Sequence, residues 1–523
     1  MEFLYSFFIG RQHLLDITNS ILNKDKILKV VGAITIAHQT AKYMGWNKHY
    51  AFYLFRQIPY IKETIYNKKM EIRKTIKEDL NKPIEHLTLN LKLPEKGLSK
   101  KDILSQVQEY EAIMPYDSNK GRVSGCVYSN SIKLDNLMYD IYPMFERTNP
   151  LHPDIYPGVR KMEAEIVNMC GNLMKSVHPE AGCFTSGGTE SILLAMRAYK
   201  KIAEQRGVKG SILLAKSAHA AYWKAAEYFG MEIIEIETNY LPLDDIHVEN
   251  NITKDTIVVI ASAPTFNFGI IDDIDSLSSF CFKHHIYLHL DMCLGGFLVP
   301  FLDNMDINFT KIGVSSISMD THKYGYGPKG GSVLLYSDPY LFKKHCFIKE
   351  DWTGGIYGTS NLTGSRSGAV IAATWAVMMA CGTDWYSKEA KRIQNIVLNL
   401  RDGIINNPHL DVMGDPDVCI VAISSSYFNI YLLADMLKDK GWALNQLQNP
   451  PAFHFCVTSI HTMNFINDLL KDINECTINI INSDNKNKPK ETVSIYGTTQ
   501  KVYDREVISD VVRDYIVCLN ELN

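Results

Sequence analysis

The feature that most constrains the fold is an alternation of strand and helix patterns in the middle of the chain. Thr256–Ala261 (TIVVIA) is apolar throughout and rich in β-branched side chains, as a strand covered on both faces must be. Similar short apolar runs stand at Ser211–Ala215, Glu232–Glu237 and Ile286–Leu290. Between them lie stretches with helical spacing: Glu190–Gln205, Ala218–Phe229 and Ser276–Phe282. This alternating texture predicts an α/β domain with a mainly parallel sheet. Such sheets bind ligands beyond the carboxyl ends of their strands, which is where Asp291 would sit.

A second region with strand patterns at Val418–Ile423 and Phe453–Ser459 follows the helical run Ala369–Ala380, and predicts a smaller α+β C-terminal domain. The expected division is an N-terminal segment over 1–60, a connecting segment over 61–150, a large α/β domain over 151–375 and a small domain over 376–523. Asn482–Lys490 (NSDNKNKPK) is the one low-complexity stretch, read as a surface loop.

Composition narrows the function classes. The 523 residues carry a formal net charge of −4, so no overall basic field supports nucleic-acid binding. Eleven cysteines without a Cys-x-x-Cys pair suit a reducing compartment. Ile27–Met44 is the most apolar early segment, but its uncharged part, Val30–Ala41, is 12 residues, and a bilayer span takes about 20. It is a buried amphipathic helix or, with Lys29 and Lys42 reaching outward, a membrane anchor.

The chemistry gathers in Ser316–Gly331 (SISMDTHKYGYGPKGG), which ends in a Gly/Pro-rich turn. A desolvated lysine amine of lowered pKa attacks aldehydes, and a carboxylate at a strand end can keep a pyridine nitrogen protonated. Pyridoxal 5′-phosphate (PLP) needs those two groups from a protein, so Lys323 and Asp291 are the first candidates for a catalytic site. Thr185–Glu190 (TSGGTE) opens a helix, where backbone amides and the helix terminus favour a phosphate. His219, in SAHAA, is either a helix-start histidine or a ring stacked on a flat cofactor. Asn149–Asp154 (NPLHPD) is a turn-rich loop whose Asn149 and His152 could hold an anion, and Lys329 could add a positive charge. Two other readings of Asp291 stand beside this one. It could cap a helix, or share a metal with His289, Cys293, His284 and His285, although no fourth converging ligand is evident.

Taken together, these motifs resemble those of the sphingosine 1-phosphate lyases, fold-type-I PLP enzymes related to the group II amino-acid decarboxylases. The resemblance runs from about residue 110 to the C-terminus. Gly121–Gly125 (GRVSG), Asn149–Asp154, Thr185–Ser191, Ser217–Ala221, Asp291–Phe297, Asp320–Gly330, Gly354–Tyr357 and Gly364–Arg366 carry it. It implies that Lys323 forms the Schiff base, Asp291 faces the pyridine nitrogen and His219 stacks on the ring. Gly188, Thr189 and His322 would hold the cofactor phosphate, and Tyr128, Asn149, His152 and Lys329 the phosphate of a phosphorylated long-chain base. The implied reaction breaks the substrate's C2–C3 bond, giving a long-chain aldehyde and phosphoethanolamine. The resemblance also implies a homodimer with shared active sites, in which Tyr357–Ser360 serves the neighbouring chain, and an endoplasmic-reticulum anchor with a cytosol-facing catalytic part. Met292, Gly327 and Ser367 depart from the family pattern without removing a chemical group. An amino-acid decarboxylase and a non-catalytic scaffold of the same fold are the competing readings.

Overall fold

A computed structural model describes residues 59–114, 121–303, 305–483 and 505–522. The apolar segment Ile27–Met44 and residues 484–490 of the low-complexity stretch lie outside the described residues. Among the described residues, no helix is long and apolar enough to cross a membrane.

The chain forms two compact units, residues 1–116 with 489–523, and residues 117–488. In the first, helix Pro59–Asn81 runs beside helix Arg505–Cys518. Lys69 pairs with Asp510 at 2.7 Å and Arg73 with Asp514 at 3.1 Å. The buried amide of Asn81 donates to the Glu521 carbonyl at 3.0 Å. Helix Arg505–Cys518, which the sequence reading grouped with residues 376–483, thus belongs to this unit. Residue 375, the expected end of the large domain, lies inside the first of two helices that span Gly368–Ile405. The two meet at a kink at Gly382, whose φ of 62° is a left-handed conformation that glycine adopts without a Cβ clash.

The second unit is built on a seven-stranded sheet: β1 (Gly182–Thr185), β2 (Ser211–Ala215), β3 (Glu232–Ile236), β4 (Thr256–Ser262), β5 (Tyr287–Asp291), β6 (Val314–Met319) and β7 (Ser332–Tyr336). Their spatial order is β1-β7-β6-β5-β4-β2-β3. The run β6-β5-β4-β2-β3 is parallel, whereas β7 is antiparallel to both β6 and β1. The fold class is therefore the expected one, with a mixed, mostly parallel large sheet. All residues of β2, β4, β6 and β7 are buried, which explains their unbroken apolar or small-residue texture.

The crossover helices follow from local signals. Helix Gly188–Arg206 presents Ile192, Ala195, Met196, Tyr199, Ile202 and Ala203 to the core at helical spacing, and Gly207 ends it at φ 70°. Asp273 caps helix Ile274–His284 by accepting from the Ser276 amide. The smaller sheet of this unit is antiparallel, with Ile420–Ser424 and Ala452–Cys456 at its centre. Helices Ile430–Asp439 and Met463–Ile481 accompany it.

Strands β6 and β7 went unrecognised as strands. Their antiparallel pairing has a consequence for the site. A parallel neighbour needs a long crossover, whereas an antiparallel one can return directly. Residues 320–331 make that return, and they carry Asp320, His322, Lys323 and Lys329 on one short connection at the edge of β5.

Candidate active site

Asp291 closes β5 and lies beside Ser318 of β6, so the carboxyl ends of two adjacent parallel strands deliver the site. The side chain is buried, and its Oδ1 accepts from the Cys293 amide at 3.1 Å. The phenol of Tyr222 is pushed well above its usual range by burial, with Asp291 adding to the effect.

Lys323 sits in the β6–β7 turn with Nζ 2.9 Å from Asp320 Oδ2. Burial presses its ammonium towards neutrality and is the largest single influence, but Asp320, Cys293 and Asp291 together outweigh it and hold the amine above the usual lysine range. The expectation of a lowered lysine pKa is thus reversed in the free chain. The physical reason is the cluster of acidic neighbours, with Asp320 in direct contact and contributing most among them. His322 Nε2 is 3.6 Å from the same oxygen, and its Nδ1 accepts from the Gly331 amide at 3.2 Å. Burial lowers the His322 pKa, and Asp320 offsets only part of the shift.

The Gly-rich turn lies against this loop. A Cβ on Gly188 would stand 2.7 Å from Cys293 Sγ and 2.9 Å from Asp320 Oδ1, so only glycine fits there. Thr189 follows, exposed, in the first turn of helix Gly188–Arg206. Glu190 accepts from the Ser186 amide at 2.6 Å and the Leu362 amide at 2.8 Å, which fixes the turn to the 360s loop. His219 is exposed just before helix Ala221–Phe229. Its Nδ1 accepts from the Ala221 amide at 3.1 Å, which leaves the proton on Nε2. Phe266 stands edge-on to it at 6.5 Å.

Lys329 Nζ lies 4.7 Å from the centroid of the Tyr128 ring, a cation–π contact. Burial lowers the Lys329 pKa, and the positive charge of Lys323 lowers it further. Tyr128 also meets Tyr324 edge-on at 5.0 Å. Two of the four expected phosphate ligands are thus together. Asn149 donates to Ser365 Oγ at 3.0 Å and accepts from the Leu151 and Arg366 amides at 3.1 and 3.2 Å. His152 is exposed beside it. Among the described residues, no hydrogen bond or ring contact joins Asn149 or His152 to Lys323, Lys329 or Tyr128.

The metal reading of the β5 histidine finds no support in the geometry. His289 Nδ1 is 2.7 Å from Ser316 Oγ and its Nε2 is 3.4 Å from Ser318 Oγ, so both nitrogens serve the core. His284 stacks on Phe280, and His285 terminates helix Ile274–His284 in a left-handed conformation. Among the described residues, no group of three or more potential ligands could hold a metal ion.

Sequence reasoning missed Asp320 as a site residue and Asn361 as a positioning one. Asn361 Nδ2 donates to the Phe184 carbonyl at 2.8 Å. The signal for Asp320 was its place three residues before Lys323, where a one-turn loop brings side chains together. For Asn361 there was no signal, because its partner is 177 residues away.

The residues present fit PLP. A buried carboxylate, an amine on the adjoining turn, and a glycine cradle at a helix N-terminus surround one spot. Asp320 Oδ1 is buried there without a hydrogen-bond partner.

Comparison with known proteins agrees with this geometry. Residues 84–426 match the pyridoxal-dependent decarboxylase conserved domain. The chain is 38% identical to sphingosine-1-phosphate lyase 1 of Rattus norvegicus over 497 residues, covering 92% of this chain and 86% of that protein. It is 34% identical to sphingosine-1-phosphate lyase of Saccharomyces cerevisiae, covering 95% and 86%. Among solved structures, the Burkholderia pseudomallei sphingosine-1-phosphate lyase superposes with a TM-score of 0.72 at 33% identity, covering 75% of this chain and 94% of that one. Glutamate decarboxylase of Lactobacillus brevis, at 20% identity and a TM-score of 0.66, shares the fold. The chain belongs to the sphingosine-1-phosphate lyase family of the pyridoxal-dependent decarboxylase-like enzymes.

Proposed function

We propose that this chain is a PLP-dependent carbon–carbon lyase that cleaves the C2–C3 bond of sphingosine 1-phosphate and other phosphorylated sphingoid bases, releasing a long-chain aldehyde and phosphoethanolamine in sphingolipid degradation. The observation that carries the reading is Asp291 at the end of β5, beside the strand whose following turn carries Lys323 on Asp320, with Lys329 of the same turn against Tyr128. A decarboxylase of this fold would have to grip a substrate carboxylate at that second position. A partly desolvated lysine beside a phenol suits a phosphomonoester.

Gly188, Thr189 and His322 would hold the cofactor phosphate, Asp291 the pyridine nitrogen, His219 a ring face, and Lys323 the aldehyde carbon. Bound there, PLP supplies the electron sink that carbon–carbon cleavage requires. The protein's own contributions are positional and electrostatic. Asp291 is locked by the Cys293 amide, so its free oxygen can face a ring N–H without reorganising. Lys329 and Tyr128 fix the far, phosphate end of the substrate, which orients the scissile bond. Asn149 and His152 are assigned to the same phosphate. Asn149 is tied to the loop at Ser365–Arg366, and we take this pair to act at a site shared between two chains. Lys323 Nζ, once free, carries a proton that can be returned to carbon.

The working form we propose is a homodimer, with Tyr357–Ser360 contributing to the neighbour. Support comes from the hairpin of Phe347–Lys349 and Tyr357–Thr359, on which Ile348, Trp352 and Ile356 are 64%, 54% and 83% exposed. We further propose that residues 27–44 tether the enzyme to the endoplasmic-reticulum membrane with its catalytic part facing the cytosol. Light scattering of the purified protein and fractionation of cells with and without those residues test these two points.

The deciding experiment is product analysis with PLP and a phosphorylated sphingoid base, comparing wild type with Lys323→Ala. Phosphoethanolamine and a fatty aldehyde from wild type alone support the lyase. Carbon dioxide from glutamate or an aromatic amino acid would install the decarboxylase reading and remove the phosphate assignment.

A further inference from the structure

Asp320 is 3% exposed and lies at the start of the connection that carries Lys323. Its Oδ2 is 2.9 Å from Lys323 Nζ and 3.6 Å from His322 Nε2. Its Oδ1 has no hydrogen-bond partner and points at Gly188, 2.9 Å from where a Cβ would be. A buried ion pair with one carboxylate oxygen unsatisfied is a poor device for stability, because desolvation of both charges offsets their attraction. The turn itself is already held by the Tyr326 amide on the Lys323 carbonyl and the Gly327 amide on the Thr321 carbonyl. Folding therefore does not account for a carboxylate at this position.

We propose that Asp320 is a positioning residue for Lys323, holding the free amine in one place as a charged, non-nucleophilic ammonium and so setting the pH at which it can bond an aldehyde. The proposal rests on the reading of Lys323 as the Schiff-base lysine. An ammonium has no lone pair, so a proton must leave before nitrogen attacks the carbonyl carbon. In the complete step the N–C bond forms and the C–O bond breaks. Two of the three ammonium hydrogens end on the oxygen, which departs as water, and the third stays on the protonated imine nitrogen. Charge is conserved, and no oxidant or further reactant is needed. When substrate later displaces the amine, the same carboxylate recaptures it as an ammonium with a transferable proton at Nζ.

Other groups facing the amine are Asp291 and Cys293 from β5 and the turn after it, His322 and Lys329 from its own connection, and Cys419 and Cys456 from the small sheet and its edge. Lys329 and His322 act against a charged Lys323. Asp320 is the one in direct contact, which makes it the group to remove.

The test is trace acylation of the full chain, stripped of cofactor, with acetic anhydride across a pH series. Mass spectrometry then quantifies label on Lys323 against exposed lysines in the same digest. In wild type, the labelling midpoint of Lys323 should lie above that of the exposed lysines. In Asp320→Asn it should fall by at least about one pH unit, giving about tenfold more label at a fixed pH below both midpoints. Asp320→Glu should restore most of the wild-type midpoint. Coincident curves for wild type and Asp320→Asn, or a wild-type Lys323 that titrates like a surface lysine, would overturn the proposal. Should Asp320→Asn fail to fold, the wild-type curve decides alone. The labelling involves neither substrate nor turnover, so its failure is separate from a failure of the lyase reading.

Discussion

Strands β5 and β6 carry polar side chains in two places, and the two places behave differently. Midway along them, His289, Ser316 and Ser318 form a closed network with Tyr199, whose hydroxyl bonds Ser316 Oγ. Every polar atom there has a partner inside the protein. At the carboxyl end, Asp291 and Asp320 are also buried and Lys323 is half-buried, but Asp320 Oδ1 is left without a partner. A satisfied buried network specifies a core, whereas unsatisfied groups beside a glycine cradle are costly unless something else uses them. One rival reading of the sequence, a shared metal, had put His289 and Asp291 together as ligands on one strand face. The contrast separates a structural histidine from a functional carboxylate two residues away.

The contrast breaks most directly through substitutions on the two sides. Asp291→Ala should lower kcat by about 10²–10³-fold, the usual cost of removing one preorganised electrostatic group, with a melting temperature close to wild type. Steady-state rates and a thermal melt on the same preparation check both halves, and a large melting shift with intact kcat would reverse the assignment.

His289→Ala should do the opposite. It opens a cavity and removes one partner each from the Ser316 and Ser318 hydroxyls in the core, at about 2–4 kcal/mol of stability. Urea unfolding measures that loss, and kcat of the folded fraction should hold within a few-fold.

On the functional side, Lys329→Ala should raise KM for a phosphorylated base by about tenfold, in line with a charge-assisted contact. KM for cofactor, measured as reconstitution of activity, should stay unchanged. A kcat loss without a KM change would remove Lys329 from the substrate's phosphate.

The remaining effect is a pH dependence. Burial lowers the pKa of His289, His454 and His461 to about 4. These folded-state values lie below the unfolded value, so the unfolded chain binds the extra protons. Their stabilising effect is complete above about pH 6.5 and is lost as pH falls towards 4. Each contributes about 1.4 kcal/mol per pH unit inside that window. Urea midpoints should therefore drop between pH 6.5 and 4, and His289→Gln should flatten the drop by a single histidine's share.

Much of the architecture was legible beforehand because it depends on local periodicity. Ser211–Ala215 was assigned to the residue, and β4 and β5 within one residue at either end, since short buried strands between helical spacings have few alternative readings. The strands β1, β6 and β7 were not recognised. β6 reads as Ser and Met and β7 as a short apolar run after glycines, so neither shows a pattern apart from its partner across the sheet.

What the sequence determined by itself was the set of chemical groups and their order: an acid at a strand end, an amine in a glycine-rich turn, and a phosphate-type turn before a helix. Those follow from residue type and spacing, which are properties of the chain. Tertiary structure alone decided which groups meet. It placed Asp320 on Lys323 and so turned an amine expected to be neutral into a charged one. It set Lys329 over Tyr128, 201 residues earlier in the chain, and tied Asn149 to Ser365. It also withdrew His289 into the core. Charge state and contact depend on distances between segments far apart in sequence, and those distances exist only once the sheet has brought its strand ends together.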